Sequence, residues 1–256
     1  MSQILKTEAL ILHGIRWSET SKIVHLFTGK KGLIKAIARG AMRPKSPFRG
    51  TIENLNHIEV ILAIKETRGL QIISQAALIN VFSNIRENLE ATAVAFSIAE
   101  LLRELIHYNE DAQALFNYTI EIFSLLNQTK TRHDIIFLYD FILFLSEYLG
   151  FGWNFTECRS CKKIPDKFPI KADAINASIY CHNCALKVSQ KTFDLQQAQW
   201  KLLSQIQQTP PKNLLSFLQI IPADLNYHPL LDLLLSHLNY HTEQTLQLKS
   251  LKMYLL

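Results

Sequence analysis

The chain has 256 residues, 48% of them hydrophobic and 19% charged, with a formal charge of +5. That composition excludes a wholly disordered chain and supplies apolar material for one large or two modest domains. The charge is uneven: residues 1–80 hold 12 Lys and Arg against 5 Asp and Glu, a net of +7, while residues 81–256 are net −2. A local positive field of this kind suits a polyanion or an anionic surface as partner.

The opening MSQILKTEALILHG is interrupted by Lys6, Glu8 and His13, whereas a secretory signal needs an unbroken apolar stretch after a basic start. The most apolar later run, FLYDFILFLSEYLGF, contains Asp140 and Glu147 and is shorter than a membrane span. The expectation is a soluble, cytoplasmic protein.

Residues 1–80 have β character. TEALILHGIRW, KIVHLFTGKKGLIKAIARG, IEVILAI and LQIISQAALI are short aliphatic and β-branched runs broken by glycine and basic turns. About five strands in so short a stretch predict a small barrel, with the five-stranded oligonucleotide-binding (OB) barrel the leading candidate.

Within this region, KKGLIKAIARGAMRPKSPFRG, residues 30–50, carries seven basic side chains and no acid: Lys30, Lys31, Lys35, Arg39, Arg43, Lys45 and Arg49. Strand alternation puts Leu33, Lys35, Ile37 and Arg39 on one face and Ile34, Ala36 and Ala38 on the other. The tail GAMRPKSPFRG then offers Arg43, Lys45 and Arg49 on a proline-stiffened loop. Cations so placed neutralise phosphates and release counterions, which gives sequence-independent affinity. Phe48, between Lys45 and Arg49, and Trp17 in the first loop are candidates to stack bases. The blander readings are a solvated loop or an anionic-lipid surface for the charge, and core packing for the two aromatics.

The character changes near Phe82. NIRENLEATAVAFSIAELLRELIH repeats Leu89, Ala93, Phe96, Ala99, Leu102 and Ile106 at the spacing of one helix face, with Asn84 and Glu87 as a capping pair. Residues 112–127 and 133–149 continue the pattern, and Gly150 and Gly152 end it. After a cysteine-bearing insert at 154–186, TFDLQQAQWKLLSQI, KNLLSFLQI and HPLLDLLLSHLNYHTEQ again have helical spacing, the second starting at Pro211. The fold class is α+β: an N-terminal barrel over 1–80, then an all-α region over 81–256 carrying the insert.

Cys158-x2-Cys161, nineteen residues, then Cys181-x2-Cys184 is the spacing of a four-thiolate zinc site. A closed all-sulfur site has no open position for a substrate, so it organises a loop without catalysis. His182 is not needed to complete it. His237 and His241 stand one helical turn apart and form a weaker metal candidate, better explained by one exposed and one partly buried histidine. No phosphate loop, HExxH, GxSxG or GxGxxG occurs, which points away from an enzyme.

Residues 18–50, SETSKIVHLFTGKKGLIKAIARGAMRPKSPFRG, resemble the N-terminal signature of the RecO family of bacterial recombination mediators. Ser18, Glu19, Thr20, Ile23, Val24, Leu26, Phe27, Thr28, Gly32, Ala38, Arg39, Gly40, Ala41, Arg43, Pro44 and Ser46 carry the likeness. LGF at 149–151 before the cysteines extends it over the chain. Met42 stands where a basic residue is common, and Glu53-Asn54-Leu55 where a proline is common. The resemblance implies an OB domain, a helical domain and a zinc loop. It implies binding of single- and double-stranded DNA and annealing of complementary strands. It also implies action with RecR to load RecA on strands coated by single-stranded-DNA-binding protein (SSB), contact with the acidic tail of SSB, and no nucleotide hydrolysis. Lys130, Arg132 and His133, at the junction of two predicted helices, are candidates for that tail, although a solvated interhelical loop explains them better. The competing readings are an adaptor that binds acidic polypeptides and a zinc-dependent nuclease.

Overall fold

The computed structural model describes residues 3–129, 133–188, 192–222 and 228–255. They divide into two compact units, Met1–Gln128 with Leu248–Leu256, and Thr129–Gln247.

In the first unit, β1 (Gln3–Arg16), β2 (Lys22–Thr28), β3 (Gly32–Ala38), β4 (His57–Ile64) and β5 (Gln71–Asn80) close a barrel in the order β1-β2-β3-β5-β4. Neighbours are antiparallel except β3 and β5, which meet in parallel at Ala36–Gln71 and Ile37–Ile72. This is the architecture of the OB barrel. β1 is long enough to serve two partners: Gln3–Leu10 pair with β4 and Leu10–Arg16 with β2.

The alternation expected in β3 is present. Gly32, Ile34, Ala36 and Ala38 are buried, and Lys35 is exposed between them. β1 breaks the pattern, because Ala9, Leu10, Ile11 and Leu12 are all buried. Ala9 and Ile11 belong to the barrel core with Val24, Leu26, Ile34, Val60 and Leu62. Helix packing against β1 accounts for burial on its other face.

Three helices follow: α1 (Ser83–Glu87), α2 (Leu89–Leu105) and α3 (Gln113–Leu126). The expected single helix from Asn84 is broken at Asn88, which is extended and accepts a hydrogen bond from the Ala91 N–H through its side chain. Asn88 is therefore the working cap. Asn84 instead bonds the main chain and side chain of Asn127. Leu89, placed on the apolar face by spacing, is exposed at the start of α2. The change from strand to helix comes at the expected place, but the compact unit continues through α3 to Gln128.

The second unit opens with α4 (Ile135–Tyr148), buried on nearly every side, Asp140 included. The insert expected as a loop is a small sheet. Strands β6 (Asn154–Cys158), β7 (Ile170–Asp173), β8 (Ser178–Tyr180) and β9 (Phe193–Leu195) lie in the order β6-β8-β7-β9, with the short helix α5 (His182–Ala185) after β8. β9 takes the start of TFDLQQ away from the helix predicted there. Helix α6 (Gln197–Gln208) begins only after Gln196, whose side chain forms a capping box with Gln199. A 3-10 turn at Pro211–Asn213 leads into α7 (Leu214–Leu218), and α8 (His228–Thr242) follows. α4 packs against α6 and α8, and α6 against β6. Finally α9 (Lys249–Leu255) belongs to the first unit and packs on α2. Among the described residues no helix is long and apolar enough to cross a membrane.

Candidate nucleic-acid interface and metal centre

The basic stretch leaves β3 at Ala38 and runs to β4 as a chain of turns. N–H groups three residues on return to the carbonyls of Gly40, Arg43, Ser46 and Phe48. Gly40 and Gly50 adopt positive φ of 73° and 72°, conformations open to glycine at little cost. The Met42 N–H donates to the Thr20 carbonyl at 3.0 Å, which ties this loop to the first loop and its exposed Trp17. Buried Asn56 backs the loop: its Nδ2 donates to the carbonyls of Gly50 and Thr51, both at 2.9 Å, and its Oδ1 accepts from Arg86.

Lys35, Arg39, Arg43, Lys45 and Arg49 are all exposed. None of the five forms an ion pair among the described residues. Lys22, by contrast, is spent on Glu53 at 2.8 Å and on the Ile52 carbonyl at 2.6 Å. The free cations therefore keep their field for an outside anion.

Phe48 is the correction. It is only 7% exposed and sits in the barrel core with Ile52. A ring held there is shut away from a base, and it anchors the loop from which its charged neighbours emerge. Trp17, 63% exposed, keeps the stacking role open. Lys130 and Arg132 lie outside the described residues.

In the second unit the four cysteines converge. All four sulfur atoms lie within 4.8 Å of one another, and Sγ of Cys161 and Cys181 are 3.8 Å apart. Sulfurs bonded to one tetrahedral zinc at about 2.3 Å are separated by about 3.8 Å, so the cluster fits zinc. The cysteines form no disulfide. Cys158 ends β6, and Lys162, at φ 60°, turns the first knuckle so that its N–H donates to the Cys158 carbonyl at 2.9 Å. Cys181 precedes α5, where the Ala185 N–H donates to its carbonyl at 2.9 Å.

Burial opposes ionisation of Cys158, but the N–H groups of Cys161, Cys181 and Ser160 and the Cys161 thiol overcome it and lower its pKa to about 6. Cys184, bonded first to Cys181 and also desolvated, is pushed up to about 12. Four adjacent sulfurs cannot share negative charge without a cation, and a bound dication removes that conflict. His182 takes no part, its Nδ1 lying 3.3 Å from the Pro169 carbonyl. His237 and His241 are no metal pair. The ring nitrogens of His237 face the carbonyls of Ala174 and Phe151, and Nε2 of His241 faces that of Ile175. His237 is also fully buried, more deeply than its sequence position suggested.

Sequence reasoning missed the surroundings of Lys35. His25, Arg68 and Arg103 share a cleft with it, drawn from separate segments that no local motif connects.

Two family profiles match the chain in tandem. The one described as Recombination protein O N terminal covers residues 1–82, and Recombination protein O C terminal covers residues 86–252. The DNA repair protein RecO of Salinibacter ruber is 34% identical over 129 residues, a match that spans 50% of this chain and 50% of that protein. The DNA repair protein RecO of Chlorobium limicola is 29% identical over 155 residues, 60% of this chain and 59% of that protein. For Chlorobium phaeobacteroides the figure is 29% over 252 residues, covering 93% of this chain and 94% of its relative. With an OB barrel under the first profile and the cysteine cluster under the second, the chain belongs to the Recombination protein O (RecO) family.

Proposed function

We propose that this chain is a non-catalytic DNA-binding mediator of recombinational repair. It anneals complementary single strands and, with RecR, helps load RecA on SSB-coated single-stranded DNA. The observation that carries this reading is the set of five exposed cations, Lys35, Arg39, Arg43, Lys45 and Arg49, without ion-pair partners among the described residues.

Annealing asks for charge neutralisation rather than covalent chemistry. Two phosphate backbones approach each other only when cations lower their repulsion, and a non-specific cationic surface does this without fixing a sequence. Anchored by Phe48, the loop presents its charges without burying them. Trp17 adds a face for a splayed base. In the second unit, Cys158, Cys161, Cys181 and Cys184 hold one structural zinc. Its role there is to close the loops around β6 and α5. The acidic tail of SSB and RecR are protein partners of this reading, and single- and double-stranded DNA its nucleic-acid ones.

Annealing of two complementary oligonucleotides pre-coated with cognate SSB tests the reading across a salt series. Acceleration that fades as salt rises supports it. No acceleration, with SSB still bound by this protein, supports an adaptor instead.

A further inference from the structure

The outer wall of the barrel carries a cleft of ≈ 500 Å³, within the range of about 300–1,000 Å³ typical of small-molecule sites. His25 of β2, Lys35 of β3, Arg68 of the β4–β5 turn, Arg103 of α2 and Tyr108 beyond α2 line it. The far wall is fastened to the barrel. The Leu33 N–H donates to the His107 carbonyl at 3.1 Å, and the Asn109 N–H to the Lys31 carbonyl at 3.0 Å.

Among the described residues lining this cleft, the charges are of one sign with a single exception. His25 and Lys35 face each other across β2 and β3, and the His13 ring meets His25 edge-on at 5.9 Å. Arg103 reaches Glu104, the one acid among the described residues that line the cleft, at 3.3 Å. Lys35 and Arg68 make no ion pair among the described residues. Burial, then Lys35, Arg103 and His13, press the His25 pKa down to about 4 against the opposing pull of Glu104. His13 is lowered as well, by burial and then by Arg103 and Lys22. The buried Nδ1 of His25 has no hydrogen-bond partner among the described residues, an orphan of a kind that native structures rarely leave unexplained. Tyr108 stands 41% exposed at the rim, and His107 lies beside it in the same wall.

Converging cations call for an anion, and an exposed aromatic ring at the same mouth calls for a flat apolar face on that anion. We propose that this cleft binds one phosphorylated nucleotide, with Lys35, Arg68 and Arg103 around the phosphate and Tyr108 against the base. The occupant is either one unit of a bound strand or a free nucleotide. The first case rests on the DNA-binding reading above, because Lys35 belongs to both surfaces. Burial does most to keep His25 neutral, and an anion here offsets the cationic field that adds to it, so occupancy and protonation of His25 support each other.

The test follows the His25 ring by NMR in the full-length protein titrated with thymidine 3′,5′-bisphosphate, with (dT)5, and with thymidine as the uncharged control. Either phosphorylated probe shifts the His25 resonances and raises its pKa, and thymidine does neither. Arg68→Ala, at an exposed turn, weakens that probe about tenfold or more while melting like the wild type. Arg103→Gln, checked the same way, repeats the loss. Response to the bisphosphate identifies a free nucleotide, and response to (dT)5 alone a strand unit. The proposal is overturned when neither probe moves His25, or when Arg68→Ala binds both as the wild type does. A triple variant, Arg43→Glu with Lys45→Glu and Arg49→Glu, separates the two readings. Unchanged (dT)5 affinity in that protein breaks the loop assignment, while its bisphosphate titration still reports on the cleft.

Discussion

A Cβ placed on Gly32 would stand 2.2 Å from the main-chain oxygen of His107. That contact joins the first residue of β3 to the segment after α2, and Gly32 holds φ at 58° to make it. A side chain is therefore refused at this position twice over, by the missing space and by the backbone angle. Gly32→Ala must push the 107–109 segment off the barrel, with an expected cost of about 2–4 kcal/mol. Gly50 is the control: its φ is 72°, but beyond its own chain neighbours no atom of the described residues lies within 4 Å of the added Cβ. Gly50→Ala should cost only about 1 kcal/mol. Urea unfolding of both proteins measures the difference, and equal losses contradict the contact.

Phe48 and Trp17 should separate cleanly. Phe48→Ala leaves a cavity in the barrel core and lowers stability by about 3 kcal/mol. Trp17→Ala leaves the melting temperature near that of the wild type and weakens single-stranded DNA by about 1–3 kcal/mol if a base stacks on it. Thermal melting and fluorescence anisotropy on the two variants decide the assignment. A Phe48→Ala protein of full stability would return that ring to the surface.

Much of this was legible in the sequence, for physical reasons that differ from place to place. Period-two alternation in GLIKAIA marks one buried and one solvated face, and the structure has both. The cysteine spacing carries its own geometry, because two short knuckles bring four sulfurs to one point. Phe48 deceived because neighbouring charges say nothing about where an aromatic ring turns. Asn84 and Asn88 both suit a helix start, and only the contact of Asn84 with Asn127 shows which one is diverted. The sheet β6-β8-β7-β9 was hidden because strands of three to five residues are too short to show a period. The cleft around Lys35 was invisible for a stronger reason, since His25, Arg68 and Arg103 are unrelated until the chain folds.

Metal binding should be stoichiometric and local. Elemental analysis is expected to find one zinc per chain in the wild type and a large deficit in Cys161→Ser. Chelation should raise hydrogen exchange across β6, β8 and α5 while leaving β1–β5 protected. Protection unchanged by chelation would mean that the sulfur cluster does not organise these loops.

His237 makes stability fall on mild acidification. Burial, reinforced by His241, lowers its pKa to about 4 despite the carbonyls of Ala174 and Phe151. An unfolded histidine takes up its proton near 6.5, so between these values the unfolded chain binds more protons and stability rises with pH. Lowering the pH from 7 to 5 should remove about 2 kcal/mol through this residue. His25, also pressed to about 4 but more exposed, adds a smaller share in the same direction. Urea titrations at both pH values measure the slope, and His237→Gln should flatten it.

The proposed hold of the basic-loop cations on the DNA backbone rests on charges without ion-pair partners among the described residues. Its most direct test is single-stranded DNA affinity across a salt series for the wild type and for the variant with Arg39, Arg43, Lys45 and Arg49 all changed to Glu. The expected result is a loss of about 100-fold or more at low salt, a plot of log K against log salt shallower by about three, and a variant that still melts cooperatively. Wild-type affinity and an unchanged salt slope in that variant would contradict it.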